Sequence, residues 1–306
     1  MSHRNEHLKG VFPVFQTPYC DDESIDFDVL QREIEWLFES GCDGIVPAMV
    51  SEVLRLSDAE RKALGGASCR FAGDLGATIL SVGAESTVVA VENAKHAQGC
   101  GAAAVMAIPP VSIGATEDDL ADYYEQIVQA IEIPVIIQDA SGYVGKPMSI
   151  SFQSQMLKQF GADRILFKPE AVPIGPRLSE LRDATQGCAH IYEGTGGISL
   201  VDSYRRGIAG TMPGADLIQG IVALYKALQA GDEKRIYELS LPISAIISTQ
   251  NSLDAFLTIE KHLLVKQGVF RNTIVRGPKA YSPDQETLAE VDRLFQLLKN
   301  VLEETE

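Results

Sequence analysis

Ile165-Leu166-Phe167-Lys168, followed by Pro169-Glu170, is a short apolar run that ends in an amine. It lies between helix-like stretches at 149–160 and 177–184, in a chain that repeats a strand-then-helix pattern about eight times. The other apolar runs fall at 11–16, 44–48, 77–82, 103–108, 134–138, 190–193 and 208–212. Amphipathic segments at 26–39, 58–71, 88–98 and 117–130 separate them. Such alternation means parallel strands joined by crossover helices. About eight units, with no glycine fingerprint after the first strand, favour a closed α/β (β/α)₈ TIM barrel over an open doubly wound sheet. After residue 214 the strand signal stops, and helical patterns follow at 217–230, at 233–267 with a break near Asn251, and at 284–304. The expected organisation is a catalytic barrel over 1–214 and a C-terminal three-helix extension of the same domain over 215–306. Ser282, ahead of Pro283, is the expected cap of the last helix.

Composition narrows the function classes. Of the 306 residues, 45% are hydrophobic and 22% charged, which describes a globular chain rather than a disordered one. A net charge of -16 without a basic stripe speaks against nucleic acid and anionic lipid as partners. No apolar run is long enough to span a bilayer, and the start lacks a secretory pattern, so a cytoplasmic location is expected. Five widely spaced cysteines, with no Cys-x-x-Cys pair, imply free thiols. The histidines show no metal-binding spacing, so neither a metal nor another cofactor is expected.

In a barrel of this kind the chemistry sits at the C-terminal ends of the strands. Lys168 ends the sixth. Burial disfavours its ammonium, and a neutral amine is a nucleophile that forms a Schiff base with a ketone. Glu170 points to the same side in an extended segment, where its charge would oppose that desolvation. Glu193, closing the seventh strand, is a second acid–base candidate, with a structural hydrogen-bonding role as its alternative. Gly194, in Gly194-Thr195-Gly196-Gly197, and Gly210 lie where barrel enzymes expose backbone N–H groups to a carboxylate. Ser51, Ser112, Gln138 and Asp139 close other strands and are candidates for substrate contact. Glu52 joins them, although its apolar neighbours favour a scaffold role.

Taken with Val14-Phe15-Gln16-Thr17-Pro18-Tyr19, Gly41-Cys42-Asp43-Gly44-Ile45 and Ser51-Glu52 before Leu56-Ser57 and Glu60-Arg61, Phe167-Lys168 resembles the dihydrodipicolinate synthase and N-acetylneuraminate lyase family. The similarity runs from Gly10 to about Leu298. It implies Schiff-base lyases on a (β/α)₈ barrel with trailing helices, acting on 2-keto acids and assembling as homodimers or homotetramers, with Lys168 as the imine-forming residue. Departures stand beside it. Met49 and Val50 occupy the place of two threonines, and Gln138 that of a proton-shuttling tyrosine. Ser112 or its neighbour matches a second tyrosine, while Tyr143 corresponds approximately to a substrate-binding arginine. The pattern of Ser51-Glu52, Gln138-Asp139-Ala140, Phe167-Lys168-Pro169-Glu170 and Glu193-Gly194 looks most like the 2-keto-3-deoxy-L-arabonate dehydratase branch. Dehydration of a 2-keto-3-deoxy sugar acid is therefore the expected reaction. A pyruvate-dependent aldolase and a catalytically silent binding protein are the alternatives.

Overall fold

The computed structural model describes residues 5–142 and 145–304. Eight short parallel strands alternate with helices: β1 (Gly10–Val11), β2 (Gly44–Ile45), β3 (Ala77–Ser81), β4 (Ala104–Ala107), β5 (Val135–Asp139), β6 (Ile165–Pro169), β7 (Tyr192–Glu193) and β8 (Gly210–Thr211). The continuous ladders run β2-β3-β4-β5-β6 and β1-β8-β7. Single parallel bridges, Val14 to Val46 and Phe167 to Ile191, join the two arcs at both seams and close the barrel.

Around it lie α1 (Phe27–Glu39), α2 (Asp58–Ala72), α3 (Thr87–Gly99), α4 (Glu117–Ala130), α5 (Ile150–Phe160), α6 (Ile174–Ala184), α7 (Leu200–Arg205) and α8 (Ile218–Ala230). Asp26, Ser57, Ser86, Thr116 and Ser149 start five of these by accepting the backbone N–H three residues on. Two details differ from the sequence reading. Six-residue α7 was not anticipated, because it is too short to show a period and follows a glycine-rich turn. The segment at 217–230, grouped there with the extension, is the helix after β8 and packs on β1. The extension is α9 (Glu233–Ile247), α10 (Leu253–Lys266) and α11 (Gln285–Glu303). Its last helix is capped by Asp284, not Ser282: the Asp284 carboxylate accepts the Thr287 N–H at 2.8 Å.

Strand alternation sorts the side chains into two layers. Along β6, Ile165 and Phe167 pack outward against the helices, whereas Leu166 joins Val14, Ile79, Met106, Ile136 and Met212 inside the barrel. The same period puts Lys168 on the inner face. In β5 the inward positions are Ile136 and Gln138, and the register sets Gln138 beside Lys168.

The extension is fastened to the barrel by a buried ion pair. Lys261 on α10 is fully buried, and its ammonium lies 2.6 Å from Glu52 Oε1 and 2.6 Å from the Ile274 carbonyl, above the Tyr19 ring. Glu52 Oε2 accepts the Arg276 N–H at 2.9 Å. Arg276 reaches Glu60 at 2.5 Å, and together with Ser57 holds that carboxyl down to about 2. Removing one partner of a buried pair strands the other charge, a loss of about 3–5 kcal/mol. Lys261→Met is thus expected to lower the urea midpoint strongly. The exposed Arg293–Glu290 pair at 2.5 Å supplies the control, and Arg293→Ala should cost less than about 0.5 kcal/mol. Equal shifts in the two variants would contradict the assignment.

Candidate active site

Lys168, Gln138 and Glu170 meet at the C-terminal end of β5 and β6, and none is more than 5% exposed. Lys168 Nζ lies 3.3 Å from Glu170 Oε1, and Gln138 Nε2 donates to Glu170 Oε2 at 2.8 Å. The Glu170 backbone N–H donates in turn to the Asp139 carbonyl at 2.9 Å, which locks the turn after β6 to β5. Burial pushes the Glu170 carboxyl above the ordinary carboxylate range, opposed first by the Lys168 ammonium and then by the Gln138 amide. The amine is buried, as the strand position implied, but it shares its burial with a carboxyl that can exchange a proton with it.

This group opens into a cavity of about 40 Å³ whose walls include Ala48, Met49, Val50, Gly194 and Met212. On a scale where one water needs about 10–15 Å³, that holds only a few small groups. Gly194 is required by contact: a Cβ there would come 2.5 Å from Lys168 Cε and 2.7 Å from Glu170 Oε1. The wall at Met49 and Val50 is apolar, so the hydroxyls expected of the family at those positions are absent from the cavity.

The remaining predicted residues take other places. Glu193 is 1% exposed, and its Oε1 accepts from Thr195 N at 2.5 Å and from Thr195 Oγ1. Its Oε2 accepts from Thr211 Oγ1 at 2.5 Å, so the carboxylate ties β7 to β8 and does not line the cavity. Ser51 Oγ donates to the Phe15 carbonyl and accepts from Ala48 N at 3.0 Å, joining the loops after β1 and β2. Glu52 is taken up by Lys261. Asp139 accepts from Ser141 N at 3.1 Å and Met148 N at 2.9 Å, bracing the loop after β5. Ser112 sits exposed on the loop after β4, with its N–H on Glu85 at 2.9 Å. Gly210 pairs with Gly10, at the start of β8 rather than at the cavity. Tyr143 lies outside the described residues.

Three cavity residues come from α10, which the sequence reading passed over: Leu253, Phe256 and Glu260. The available signal was a run of charged and polar residues, Glu260-Lys261-His262, set between Ile259 and Leu263-Leu264. Glu260 belongs to a second buried acid group with Glu33 and Asp216, and Gln16 Nε2 donates to Glu260 Oε2 at 2.6 Å. Burial pushes the Asp216 carboxyl up to about 7.

Two tests follow from this geometry. A Cβ at position 194 must displace Lys168, and misplacement by about 1 Å can cost about 100-fold in rate. Gly194→Ala should therefore keep its circular dichroism spectrum while losing activity on that scale; near wild-type turnover would contradict the contact. For Asp216, the unfolded chain releases its proton near 3.8, whereas the folded chain keeps it to about 7. Between those values folding takes up a proton, so stability falls as pH rises; below them both states are protonated. Urea midpoints at pH 4.5 and 7 should accordingly differ less in Asp216→Asn than in the wild type, with an unaltered slope as the contrary result.

A family profile described as the dihydrodipicolinate synthetase family matches residues 7–297. L-2-keto-3-deoxyarabonate dehydratase of Azospirillum brasilense is 29% identical over 282 residues, 88% of either chain. 4-Hydroxy-tetrahydrodipicolinate synthase of Bartonella bacilliformis is 25% identical over 272 residues, 87% of this chain and 90% of the other. The crystal structure of dihydrodipicolinate synthase from Rhodopseudomonas palustris superimposes with a TM-score of 0.86 at 26% identity, covering 95% of this chain and 98% of that one. Because the profile takes in barrel and extension alike, both walls of the cavity fall within one match: the chain belongs to the dihydrodipicolinate synthetase family and is a Schiff-base lyase.

Proposed function

We propose that the protein dehydrates a 2-keto-3-deoxy sugar acid through an imine on Lys168. The observation that carries this reading is the Lys168–Glu170 pair at 3.3 Å, in a cavity whose other polar side chains, among the described residues, are Gln138 and Glu260. No tyrosine or threonine of the described residues lines it. On this reading Glu170, the carboxyl in contact with the amine, serves the proton transfers. The Lys168 amine adds to the C2 ketone, and protonated Glu170 gives its proton to the departing oxygen, releasing water and forming the iminium. Glu170, now a carboxylate, removes the C3 proton, and the electron pair moves into the enamine. The same carboxyl then protonates the C4 hydroxyl as it leaves, which returns Glu170 to the carboxylate. The Glu170 carboxylate then moves a proton from C5 of the conjugated iminium to C3, leaving a C4–C5 enol; hydrolysis frees the neutral amine and the enol, which ketonises to the semialdehyde, and the proton released restores protonated Glu170. Gln138, by fixing Oε2, keeps Oε1 as the transferring oxygen.

We assign the substrate carboxylate to the backbone at Gly194 and Gly196, which line the cavity. Similarity to L-2-keto-3-deoxyarabonate dehydratase supports the choice of reaction. An aldol outcome uses the same imine and breaks the C3–C4 bond instead, and the synthase relatives keep it as the second reading. The cytoplasmic location and the homodimeric or homotetrameric assembly implied by the resemblance go with this proposal.

Borohydride reduction in the presence of a 2-keto-3-deoxy pentonate should add the ligand mass to Lys168 and to no other residue. Turnover should yield 2-oxoglutarate semialdehyde without pyruvate. Pyruvate as product would select the aldol reading, and a protein that forms no adduct with any keto acid would end the enzymatic one. Glu170→Gln removes the transferring oxygen and should lower kcat by about 100-fold or more and slow borohydride trapping at Lys168 alongside it, without altering which residue is trapped.

A further inference from the structure

The helical extension supplies one wall of the cavity. Leu253, Phe256 and Glu260, spaced three and four residues apart, occupy one face of α10. Glu260 is 1% exposed. Its Oε2 accepts the Gln16 amide at 2.6 Å, and its Oε1 accepts no hydrogen bond from the described residues. Oε1 sits next to Gly214, another lining residue, where a Cβ would come within 2.5 Å of it. The missing side chain at 214 makes the room that the carboxyl occupies.

The charges around Glu260 leave it without a cation. Glu33 on α1 and Asp216 after β8 are buried carboxyls in its field, and each has an oxygen, Glu33 Oε2 and Asp216 Oδ2, with no partner among the described residues. The ammonium in its field, Lys261, is committed to Glu52 and the Ile274 carbonyl. Lys168 and Glu170 face each other across the same cavity. Buried carboxyls lacking cations stay protonated rather than bear unpaired charge. With an N–H already on Oε2, the proton of Glu260 resides on Oε1. The wall thus presents a neutral O–H donor.

We propose that Glu260 is a specificity-determining residue that donates a hydrogen bond to an uncharged hydroxyl on the tail of the keto acid and disfavours a tail bearing a second carboxylate. The inference rests on the imine at Lys168 and deepens that reading. Lys168 is the single cation among the described residues that line the cavity, and the charge it keeps as an iminium is already paired with Glu170. A second carboxylate would have to be buried among acids with no arginine or lysine to meet it, a penalty that rejects it. A hydroxyl meets a donor already in place, whereas its absence leaves Glu260 unpaired.

The test reads half-saturation of borohydride trapping at Lys168 in the full-length protein, so that it does not depend on whether dehydration or aldol cleavage follows. A 2-keto-3-deoxy pentonate is compared with 2-oxopentanoate, which lacks the tail hydroxyls, and with 2-oxoglutarate, which carries the second carboxylate. Wild-type protein should prefer the hydroxylated acid over both by at least about 10-fold. Glu260→Leu should reduce the preference over 2-oxopentanoate to near one, and Glu260→Gln, whose amide still donates, should retain most of it. A merely structural role would weaken all three ligands alike and leave the ratio unchanged, which overturns the proposal. Should Glu260→Leu not fold, the wild-type series decides: 2-oxoglutarate trapping as readily as the hydroxylated acid also overturns it. Absence of any adduct in the wild type is a different failure, that of the imine itself.

Discussion

A carboxyl and an amine held 3.3 Å apart inside a closed barrel mouth is the constraint on which the site depends. Either group alone would be costly to bury in its charged form. Together they offset one another's desolvation, and the proton they exchange is the one an imine mechanism must move. The arrangement rests on backbone positions: the register that sets Gln138 beside Lys168, the N–H of Glu170 on the Asp139 carbonyl, and the bare Cα of Gly194. Sheet geometry thereby fixes a distance that flexible side chains would not keep.

The barrel was legible in the chain because its signals are local. Hydrophobic runs of four to six residues, capping residues such as Asp26 and Ser57, and the helical periods between them each report on their own neighbourhood. Lys168 and Gln138 could be placed by the same logic, since a strand of known direction puts alternate residues inside. The rule that strand ends form the site was less discriminating. It selected Glu193, Ser51 and Asp139 alongside Lys168, yet strand ends also carry the groups that tie neighbouring loops together. Whether a carboxylate meets a threonine or a cavity depends on the next strand, not on its own sequence.

What the sequence concealed was long in range. Glu52 and Lys261 are 209 residues apart, and Gln16 and Glu260 are 244 apart. No period or spacing links such pairs. The extension accordingly read only as an appended part of the same domain, when it both latches the barrel and walls the cavity. On the proposed reading, that arrangement would let loops and helices outside the barrel alter substrate choice while the imine stays on β6, in keeping with one family containing relatives named as a dehydratase and as synthases.

The central claim, that an imine on Lys168 gives its C3 proton to a neighbouring carboxyl, is tested most directly by proton exchange. Incubated with pyruvate in D₂O and followed by ¹H NMR, the wild-type protein should wash out the pyruvate methyl signal as the enamine forms and reverts, and Lys168→Ala should not. A methyl signal that persists with the wild-type protein at the rate of the protein-free control would contradict the account.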